Sequence, residues 1–380
     1  MSRRRNNRAL LLLPGAFCPA GGLEMHDRLI IKGMQEIMGE RGGVCETLVL
    51  LDKDEHVDAR YADPSQPRPR TFAASRPRFV QGAVARTLAL RPDLIVFGHV
   101  NFSALGLALR ALRPQARHWY LVYGIDVWHR ISLPQRVATR SADRVLSISD
   151  YTRVQLVKHN GVDPHRVDLL PCALDPFWAA DFVKLAGAPA SGAAPPRPLL
   201  LTVARLAATE RYKGVDQVIR ALPQIAARIP DVRYAVVGDG GDRARLEALA
   251  REMGVADRVE FRGRVSAEEL ARAYAECSLF VMPSAKEGFG IVFLEAALFG
   301  KPSIAGNHGG SPEVVEDGVT GRLVTYDDVN GLAAAAIDLL ADPDRLRVMG
   351  QAALQRLEER FTYPTFLRTL RGHVEGALDR

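Results

Sequence analysis

Short apolar runs alternate with longer helical stretches along the whole sequence. Each run is rich in β-formers and has the length of a single buried strand. Continuous apolar strands separated by helices indicate parallel sheets that are covered on both faces. The sequence therefore predicts an α/β protein with two doubly wound, Rossmann-like domains in tandem. The predicted strands are residues 9–13, 47–51, 93–97, 118–123, 144–148, 167–170, 199–204, 232–237, 258–261, 279–282 and 303–305.

A run of small residues rich in proline and glycine, Ala186–Pro198, interrupts this alternation. Such a composition cannot bury a core and is typical of an interdomain linker. A chain of 380 residues fits two domains on either side of it. We predict a first domain over 1–185, a linker over 186–198, and a second domain over 199–355. The last stretch, 356–380, has a helical pattern and could return to the first domain.

Composition excludes several classes of protein. No apolar run approaches the roughly 20 residues of a membrane-spanning helix. The run before Pro14 has only five residues, Ala9–Leu13, so we interpret it as a strand and not as a secretion signal. The four cysteines form no C-x-x-C pair, which argues against a zinc ribbon or a disulfide framework. A reduced, cytoplasmic compartment is expected.

The positive charge of the chain is concentrated in its first half. Residues 1–190 carry a net charge of +8 and residues 191–380 carry −2, with the excess in Arg3–Arg8, Arg60–Arg91 and Arg110–Arg117. One interpretation is an arginine-rich surface exposed to solvent. The other is attraction to anionic lipid headgroups or to an anionic acceptor. Nucleic acid is not expected, because no binding motif accompanies the charge.

The segment after the strand 279–282 carries the strongest chemical signal. It reads Glu287-Gly-Phe-Gly290 and continues as a helix through Glu295. The glycines let the backbone approach a ligand closely, and the free amides of a helix start favour a phosphate. Carboxylates at Glu287 and Glu295 can accept hydrogen bonds from vicinal hydroxyls, as on a ribose or a hexose. The structural alternative is a helix with a capping carboxylate in its first turn.

Arg205 and Lys213 follow the first strand of the second domain, 199–204. A guanidinium fork and an ammonium directed at one cleft suit a diphosphate. They could stabilise negative charge on a departing diphosphate without a metal. The alternative is ordinary surface charge, but ligands of open α/β sheets bind beyond the carboxyl ends of strands, where these residues fall.

Loops of the first domain complete the candidate site. Gly21 and Gly22 lie in a loop after the first strand that could pass close to a phosphate or a sugar. His99 and Tyr123 fall at the ends of two further strands, at the same edge. No metal site is predicted, because Asp52-Lys-Asp54 has the D-x-D form of some metal-dependent sugar transferases but lies in an acidic loop without supporting context.

These motifs resemble those of the retaining glycosyltransferases of family 4, which share the GT-B fold of two Rossmann-like domains facing each other across a cleft. The resemblance covers nearly the whole chain. Its most specific part is the E-x7-E element, here Glu287 to Glu295. The other matching segments, in the family's order, are residues 21–24, 149–153, 170–175, 205 with 212–214, 237–240 and 309–313.

The resemblance implies that the first domain, 1–185, binds the acceptor and that the second domain, 199–355, binds a nucleotide-sugar donor. It assigns the diphosphate to Arg205 and Lys213, the ribose to Glu295 and the transferred sugar to Glu287. Arg205, Lys213 and Glu287 are accordingly the expected catalytic residues, acting without a metal. The further donor contacts that it implies come from the backbone of Phe289, Gly290, Arg264 and Val265.

One position departs from the family pattern. Many members carry a His-Gly pair where this sequence has Tyr123-Gly124, and that histidine approaches the transferred sugar or the reacting centre. A tyrosine has a pKa near 10 and donates as a neutral phenol. Three alternatives stay open: Tyr123 substitutes as a donor, His99 supplies the imidazole, or the chain does without one.

The predicted function is retaining transfer of a hexose, with mannose favoured, to a lipid-linked or saccharide acceptor in bacterial polysaccharide or lipopolysaccharide biosynthesis. GDP-mannose is the preferred donor on family frequency, a UDP-sugar comes second, and no further cofactor is expected. The basic first domain would contact the inner face of an anionic membrane peripherally. The alternatives are a soluble disaccharide or sugar-phosphate synthase of the same fold, and a nucleotide-binding protein without catalysis.

Overall fold

Two parallel β-sheets organise the computed structural model of the protein, which describes residues 7–17, 21–186 and 197–379. Each sheet belongs to its own unit of the chain. Unit 1 extends to Asp175 and includes the C-terminal residues from Tyr363, whereas unit 2 comprises Pro176–Thr362.

Unit 1 is a seven-stranded sheet with its covering helices. Its strands are β1 (Arg8–Leu13), β2 (Val44–Val49), β3 (Arg70–Thr71), β4 (Leu94–Phe97), β5 (Arg117–Val122), β6 (Arg144–Ser147) and β7 (Val167–Leu169). Its helices are α1 (Gly22–Glu40), α2 (Arg76–Leu90), α3 (Ser103–Leu112), α4 (Leu133–Ser141), α5 (Asp150–Asn160) and α14 (Tyr363–Leu378). The strands pair in parallel in the order β3-β2-β1-β4-β5-β6-β7.

Unit 2 is a six-stranded sheet of the same kind. Its strands are β8 (Leu199–Val203), β9 (Arg233–Val237), β10 (Val259–Gly263), β11 (Leu279–Met282), β12 (Ser303–Gly306) and β13 (Gly321–Val324). Its helices are α6 (Pro176–Ala186), α7 (Val215–Arg228), α8 (Arg243–Glu252), α9 (Ala267–Glu276), α10 (Ile291–Leu298), α11 (Ser311–Val314), α12 (Val329–Leu340) and α13 (Pro343–Arg360). The strands pair in parallel in the order β10-β9-β8-β11-β12-β13.

The central strands are buried on both faces, which explains their unbroken apolar sequences. All residues from Ala9 to Leu13 of β1 are fully buried, and the neighbouring β4 is buried over its whole length. In unit 2, α7 packs Val218, Ile219 and Leu222 into the core beside the sheet. Burial of one such side chain contributes about 1.5–3 kcal/mol. The predicted fold class, α/β with two doubly wound parallel-sheet domains, is confirmed.

The strand order of each sheet reverses at one pair of neighbouring strands, which is the topological switch point of that sheet. In unit 1 the chain winds from β1 outward to β3, and then from β4 in the opposite direction. In unit 2 the corresponding pair is β8 and β11. The loops that leave the carboxyl ends of such a pair diverge and open a crevice, which is where open α/β sheets bind their ligands. The candidate site is therefore sought in the loops after β1, β4, β8 and β11.

The division of the chain differs from the sequence-based boundaries at two places. Helix α6 falls within the predicted first domain but belongs to unit 2, where it packs against α9. Within the predicted segment 356–380, α13 continues to Arg360 in unit 2, and α14 packs on α1 of unit 1. The predicted linker lies largely outside the described residues, as do Arg3, Arg4 and Arg5 of the basic N-terminal cluster.

Candidate active site

Lys213 and Glu287 come together at the switch point of unit 2. Glu287 lies in the loop between β11 and α10, and Lys213 ends the 3₁₀ segment Ala208–Lys213 that follows β8. The amide of Ala285 donates a 2.8 Å hydrogen bond to the carbonyl of Tyr212, which joins the two loops. The Lys213 Nζ then lies 2.6 Å from Oε2 of Glu287.

This ion pair is largely buried. The side chains of Lys213 and Glu287 are 20% and 14% exposed. Burial by itself would lower the pKa of Lys213, but the attraction and the hydrogen bond of Glu287 outweigh it, so the pKa is raised. Lys213 therefore stays a cation at neutral pH, and a bound anion could take the place of its carboxylate partner.

Arg205 stands at the same sheet edge but is open to solvent. Its side chain is 81% exposed, and Nη2 pairs with Oε1 of Glu210 at 2.5 Å. The exposed guanidinium retains donors for a ligand, because one carboxylate oxygen occupies only part of the fork. Arg205, Lys213 and Glu210 line one shallow depression of the surface, together with Arg211, Asp242 and Arg245.

Glycines shape the loop that carries Glu287. Gly290 has φ = +100° and stands directly before α10, a conformation that L-residues with a side chain rarely adopt. The turn at Gly309 and Gly310 lies against the same loop, where Gly310 N donates a 2.7 Å hydrogen bond to the Glu287 carbonyl. A Cβ on either residue would collide with the backbone of Glu287 or Gly288. The Gly-rich turn 306–313 thus supports the site from behind.

The remaining predicted donor residues are placed differently. The Phe289 side chain is buried against Phe361, with ring centroids 5.6 Å apart, so only its backbone faces the loop. Arg264 is exposed and Val265 half-buried, and both follow β10, two strands away from β8. No hydrogen bond in the described structure links Arg264 or Val265 to Lys213.

Glu295 lies apart from Glu287, on α10. Its Oε2 accepts a 2.6 Å hydrogen bond from the hydroxyl of Tyr274, a residue of α9. Burial raises the pKa of Glu295 to about 7, although the tyrosine hydrogen bond opposes the shift. The two glutamates of the E-x7-E element therefore have different partners in this structure, Lys213 for Glu287 and Tyr274 for Glu295.

In unit 1, the loop after β1 is held by Asp52. Its Oδ2 accepts hydrogen bonds from the backbone amides of Ala16 and Phe17, at 2.8 and 3.0 Å. The loop then leads to Gly21 and Gly22, both exposed, where α1 begins without a side-chain cap. Asp52 thus supports the glycine loop, and the second carboxylate of the D-x-D pattern, on Asp54, accepts from the Thr71 hydroxyl.

Tyr123 directs its hydroxyl into unit 1. The residue follows β5 and is 9% exposed, and its hydroxyl donates to Oδ1 of the fully buried Asp27 at 2.5 Å. Burial raises the pKa of Asp27 well above its usual value and likewise raises that of Tyr123. The phenol is therefore committed to a buried partner.

His99 follows β4, the strand beside β5. Its ring stacks on that of Tyr123, with centroids 6.2 Å apart and planes 15° apart. Its Nε2 lies 3.9 Å from Oδ2 of Asp126, which belongs to the turn after β5. Burial lowers the pKa of His99 and raises the pKa of Asp126 to about 7.

Four residues beside the predicted ones were not found from the sequence. Asp27 could have been noticed, because His26-Asp27-Arg28 interrupts an apolar helical stretch and at least one of three consecutive residues must face the core. Asp126 closely follows the end of β5, as Tyr123 does, so the same strand-end signal points to it. Glu210 and Tyr274 carry no such signal, because loop and helix packing sets their contacts with Arg205 and Glu295.

The chain is similar to known glycosyltransferases over most of its length. The model of the Glycosyltransferase Family 4 matches residues 21–177, and that of glycosyl transferases group 1 matches residues 188–356. A GDP-mannose-dependent alpha-(1-6)-phosphatidylinositol monomannoside mannosyltransferase of Mycolicibacterium smegmatis is 35% identical over 296 residues, which is 74% of this chain and 69% of that protein. A D-inositol 3-phosphate glycosyltransferase of Mycobacterium sp. (strain KMS) is 37% identical over 207 residues, which is 53% of this chain and 45% of that protein.

Among solved structures, the sucrose-phosphate synthase from Thermosynechococcus elongatus matches with a TM-score of 0.75 and 23% identity, over 98% of this chain and 99% of that one. This likeness supports the fold, and the structural neighbours are GT-B glycosyltransferases. The sequence relatives and the two family models confirm the predicted family. This chain belongs to glycosyltransferase family 4, among the group 1 glycosyl transferases, and is a sugar-transferring enzyme.

Proposed function

We propose that this enzyme transfers a hexose, with mannose favoured, from a nucleotide-diphosphate sugar to a lipid-linked or saccharide acceptor. Transfer would retain the anomeric configuration and need no metal. The observation that carries the proposal is the placement of Lys213, Glu287 and Arg205 at the switch point of unit 2. The M. smegmatis relative is named for GDP-mannose and a phosphatidylinositol mannoside, which favours GDP-mannose over a UDP-sugar.

Arg205 and Lys213 would hold the diphosphate of the donor. The acceptor hydroxyl oxygen would form the new bond to the anomeric carbon, and a phosphate oxygen of the leaving diphosphate would take its proton. As the bond between the anomeric carbon and the diphosphate oxygen breaks, its electron pair leaves with that oxygen and negative charge accumulates there. A guanidinium and a buried ammonium can stabilise that charge, because attraction is strong where water is largely excluded. Backbone amides at Phe289 and Gly290, at the start of α10, would add donors to the phosphate oxygens.

Glu287 would bind hydroxyls of the transferred hexose. Its partner Lys213 can turn to the incoming diphosphate, and the carboxylate is then free to accept hydrogen bonds from vicinal hydroxyls. Glu295 would do the same for the ribose. Its pKa of about 7 means that the ionised form, which accepts both hydroxyls, is populated increasingly above neutral pH.

The acceptor and the location form the second part of the proposal. The net charge of +8 in residues 1–190 suits an anionic lipid surface, and we place the reaction at the inner face of the cell membrane. In the part of the chain that the structure describes, no helix has the length and apolar character needed to cross a bilayer. Bacterial polysaccharide or lipopolysaccharide biosynthesis is the process that uses such lipid-linked acceptors.

A second candidate is a soluble synthase that glycosylates a small sugar or polyol phosphate. It is favoured by the relative that is named a D-inositol 3-phosphate glycosyltransferase. The two candidates share the donor site and differ only in the acceptor. A requirement for a lipid acceptor separates them.

The test combines the purified chain with GDP-mannose, UDP-glucose and UDP-galactose, each with phosphatidylinositol monomannoside, D-inositol 3-phosphate or a bacterial membrane extract. Products are detected by mass spectrometry, with and without EDTA, and the anomeric configuration is read by NMR. Mannosylation of a lipid acceptor that survives EDTA supports the proposal. Absence of transfer from every donor, or transfer that requires added metal, contradicts it.

A further inference from the structure

His99 and Asp126 form an incomplete pair at the carboxyl edge of the unit 1 sheet. Their nearest atoms, Nε2 and Oδ2, are 3.9 Å apart, which is too far for a hydrogen bond. The two side chains are only 19% and 13% exposed, so water screens them poorly. The two side chains do not hydrogen-bond to each other, so a polar ligand atom can bridge them.

The hydrogen bonds of each residue fix which atom faces the gap. Nδ1 of His99 accepts from the amide of Asn101 at 3.1 Å, so in the neutral ring the proton is on Nε2. The Asp126 carboxylate accepts from the amide of Tyr123, at 3.2 Å to Oδ1 and 3.4 Å to Oδ2. Nε2 of His99 is thus a donor and Oδ2 of Asp126 an acceptor, and a hydroxyl oxygen beside the 3.9 Å gap can lie about 2.8 Å from both.

Tyr123 takes part only indirectly. Its hydroxyl donates to Asp27 and is not available to a ligand, whereas its ring stacks on His99. The ring of His26 also packs edge-to-face against the ring of Tyr123, with the two ring centroids 5.7 Å apart. Tyr123 is therefore a positioning residue that holds the imidazole of His99 beside Asp126.

We propose that His99 and Asp126 together bind one hydroxyl group of a carbohydrate or polyol, with Nε2 of His99 donating to it and Oδ2 of Asp126 accepting from it. This inference rests on the proposed function, because it assumes a sugar substrate. The hydroxyl belongs to the acceptor or to the transferred hexose, which share this chemistry. Of the three alternatives for the departure at position 123, the pair selects His99.

The pair has a predictable response to pH. Burial raises the pKa of Asp126 to about 7 and lowers that of His99, so His99 is neutral over the range in which Asp126 ionises. Titratable groups packed against the pair include Tyr123 and, behind it, Asp27, and both have raised pKa values. His26, on the same tyrosine ring, has its pKa lowered by burial to about 3, and Cys172 also lies close to Tyr123. Below about pH 7 the protonated Asp126 loses its acceptor role, and hydroxyl binding weakens as the pH falls.

The test measures KM for donor and for acceptor in wild type, His99→Phe, His99→Gln and Asp126→Asn. Phenylalanine keeps the stacking on Tyr123 and removes the donor, whereas glutamine keeps a donor near the position of Nε2. We expect a KM increase of about 3–10-fold in His99→Phe and about 10-fold or more at pH 8 in Asp126→Asn. Glutamine should restore part of the loss, and Asp126→Asn should abolish the change of KM near pH 7. His159→Phe, at an exposed site on α5, is the matched control.

The outcomes separate the two sources of the hydroxyl. An increased acceptor KM with an unchanged donor KM assigns it to the acceptor, and the reverse assigns it to the transferred hexose. Wild-type KM values for both substrates in His99→Phe and in Asp126→Asn overturn the inference, whatever happens to kcat. Failure of the wild-type enzyme to transfer any sugar would instead contradict the proposed function, so the two failures are distinct.

Discussion

The Nζ of Lys213 lies 2.6 Å from Oε2 of Glu287, and this pair joins the loops after β8 and β11 at the switch point of unit 2. Each charge is mostly buried and depends on the other while no donor is bound. Removing either partner leaves a poorly solvated charge behind. Lys213 attracts a diphosphate, whereas Glu287 repels it. Substitutions of the two residues should therefore have different effects on the affinity for GDP.

Glu287→Gln should reduce transfer at least about 100-fold, because the contact to the sugar is made where charge develops. Its affinity for free GDP should be unchanged or higher, since Lys213 no longer has a competing carboxylate. Lys213→Ala should bind GDP about 10–100-fold more weakly. Initial rates and isothermal titration calorimetry measure both effects. Wild-type turnover in Glu287→Gln, or equal losses of GDP affinity in the two variants, would contradict the assignment.

Arg205→Ala should reduce the affinity for the donor and for free GDP alike, by about tenfold or more. The reason is that the guanidinium is assigned to the diphosphate and not to the sugar. Its side chain is 81% exposed, so the midpoint of urea unfolding should hardly move. Arg205→Lys should not recover the affinity, since an ammonium lacks the planar fork. Arg220→Ala on the exposed face of α7 is the control. Full GDP affinity in Arg205→Ala would refute the role.

Glu295 should make the stability of the enzyme depend on pH. Its pKa is about 7 in the folded protein and lies near 4.3 in an unfolded chain, so the folded state binds the proton more tightly. The contribution of Glu295 to the free energy of unfolding is therefore fully present below about pH 4.3 and is lost as the pH rises toward about 7. Glu295→Gln should remove this loss, which amounts to about 1–3 kcal/mol.

Urea unfolding of wild type and Glu295→Gln between pH 5 and 8 measures the difference. The free energy of unfolding of Glu295→Gln should increase relative to that of wild type as the pH rises. Tyr274→Phe removes the hydrogen bond that opposes the shift, so the loss with rising pH should be larger than in wild type. Parallel pH profiles for wild type and Glu295→Gln would show that Glu295 is not the group responsible.

The fold was largely predictable because the strands of both sheets are buried on both faces. A strand such as β1, with five consecutive apolar residues before a proline, can be read from one sequence. Strands β3 and β13 were missed, since β3 has only two residues and β13 begins Gly321-Arg322 with only partly buried side chains at Arg322 and Leu323. Edge strands lack the continuous apolar signal on which the prediction depends.

The candidate site was predictable to the extent that its residues follow strand ends. Lys213 and Glu287 were found in this way, although their direct contact joins residues far apart in sequence. Glu210 and Tyr274, which pair with Arg205 and Glu295, are set by loop and helix packing and have no local pattern. The inward direction of Tyr123 likewise depends on Asp27, which reaches it from α1.

Tyr123→Phe should destabilise unit 1 without changing substrate KM. The hydroxyl is the donor to Oδ1 of Asp27, and Oδ2 of Asp27 is already buried without a hydrogen-bond partner in the described structure. Removing the donor leaves the carboxyl group unsatisfied, at about 1–3 kcal/mol. Urea unfolding measures the loss, and Tyr151→Phe at an exposed position is the control. A large change in KM with unchanged stability would mean that the hydroxyl contacts a substrate.

Binding to anionic membranes should depend on α4 and the turn before it. Leu133 is 70% exposed. Arg130, Arg136 and Arg140 make no ion pair with a carboxylate in the described structure, although Nε of Arg140 donates to the carbonyl of Asn160. Burial and the nearby charges of Arg130 and Arg140 lower the pKa of Arg136, as expected for crowded cations without a counterion. An exposed leucine among arginines that lack a carboxylate partner suits a surface of anionic lipid headgroups.

Arg130→Gln with Arg136→Gln should therefore reduce sedimentation with phosphatidylglycerol-containing vesicles by about tenfold or more. Pure phosphatidylcholine vesicles should bind neither protein, and salt should weaken wild-type binding, because screening shortens the reach of the charges. The matched control is Arg345→Gln with Arg347→Gln on α13, where both arginines already pair with aspartates. Equal losses in the two double variants would assign the attraction to net charge alone, and undiminished binding would exclude α4 as the contact.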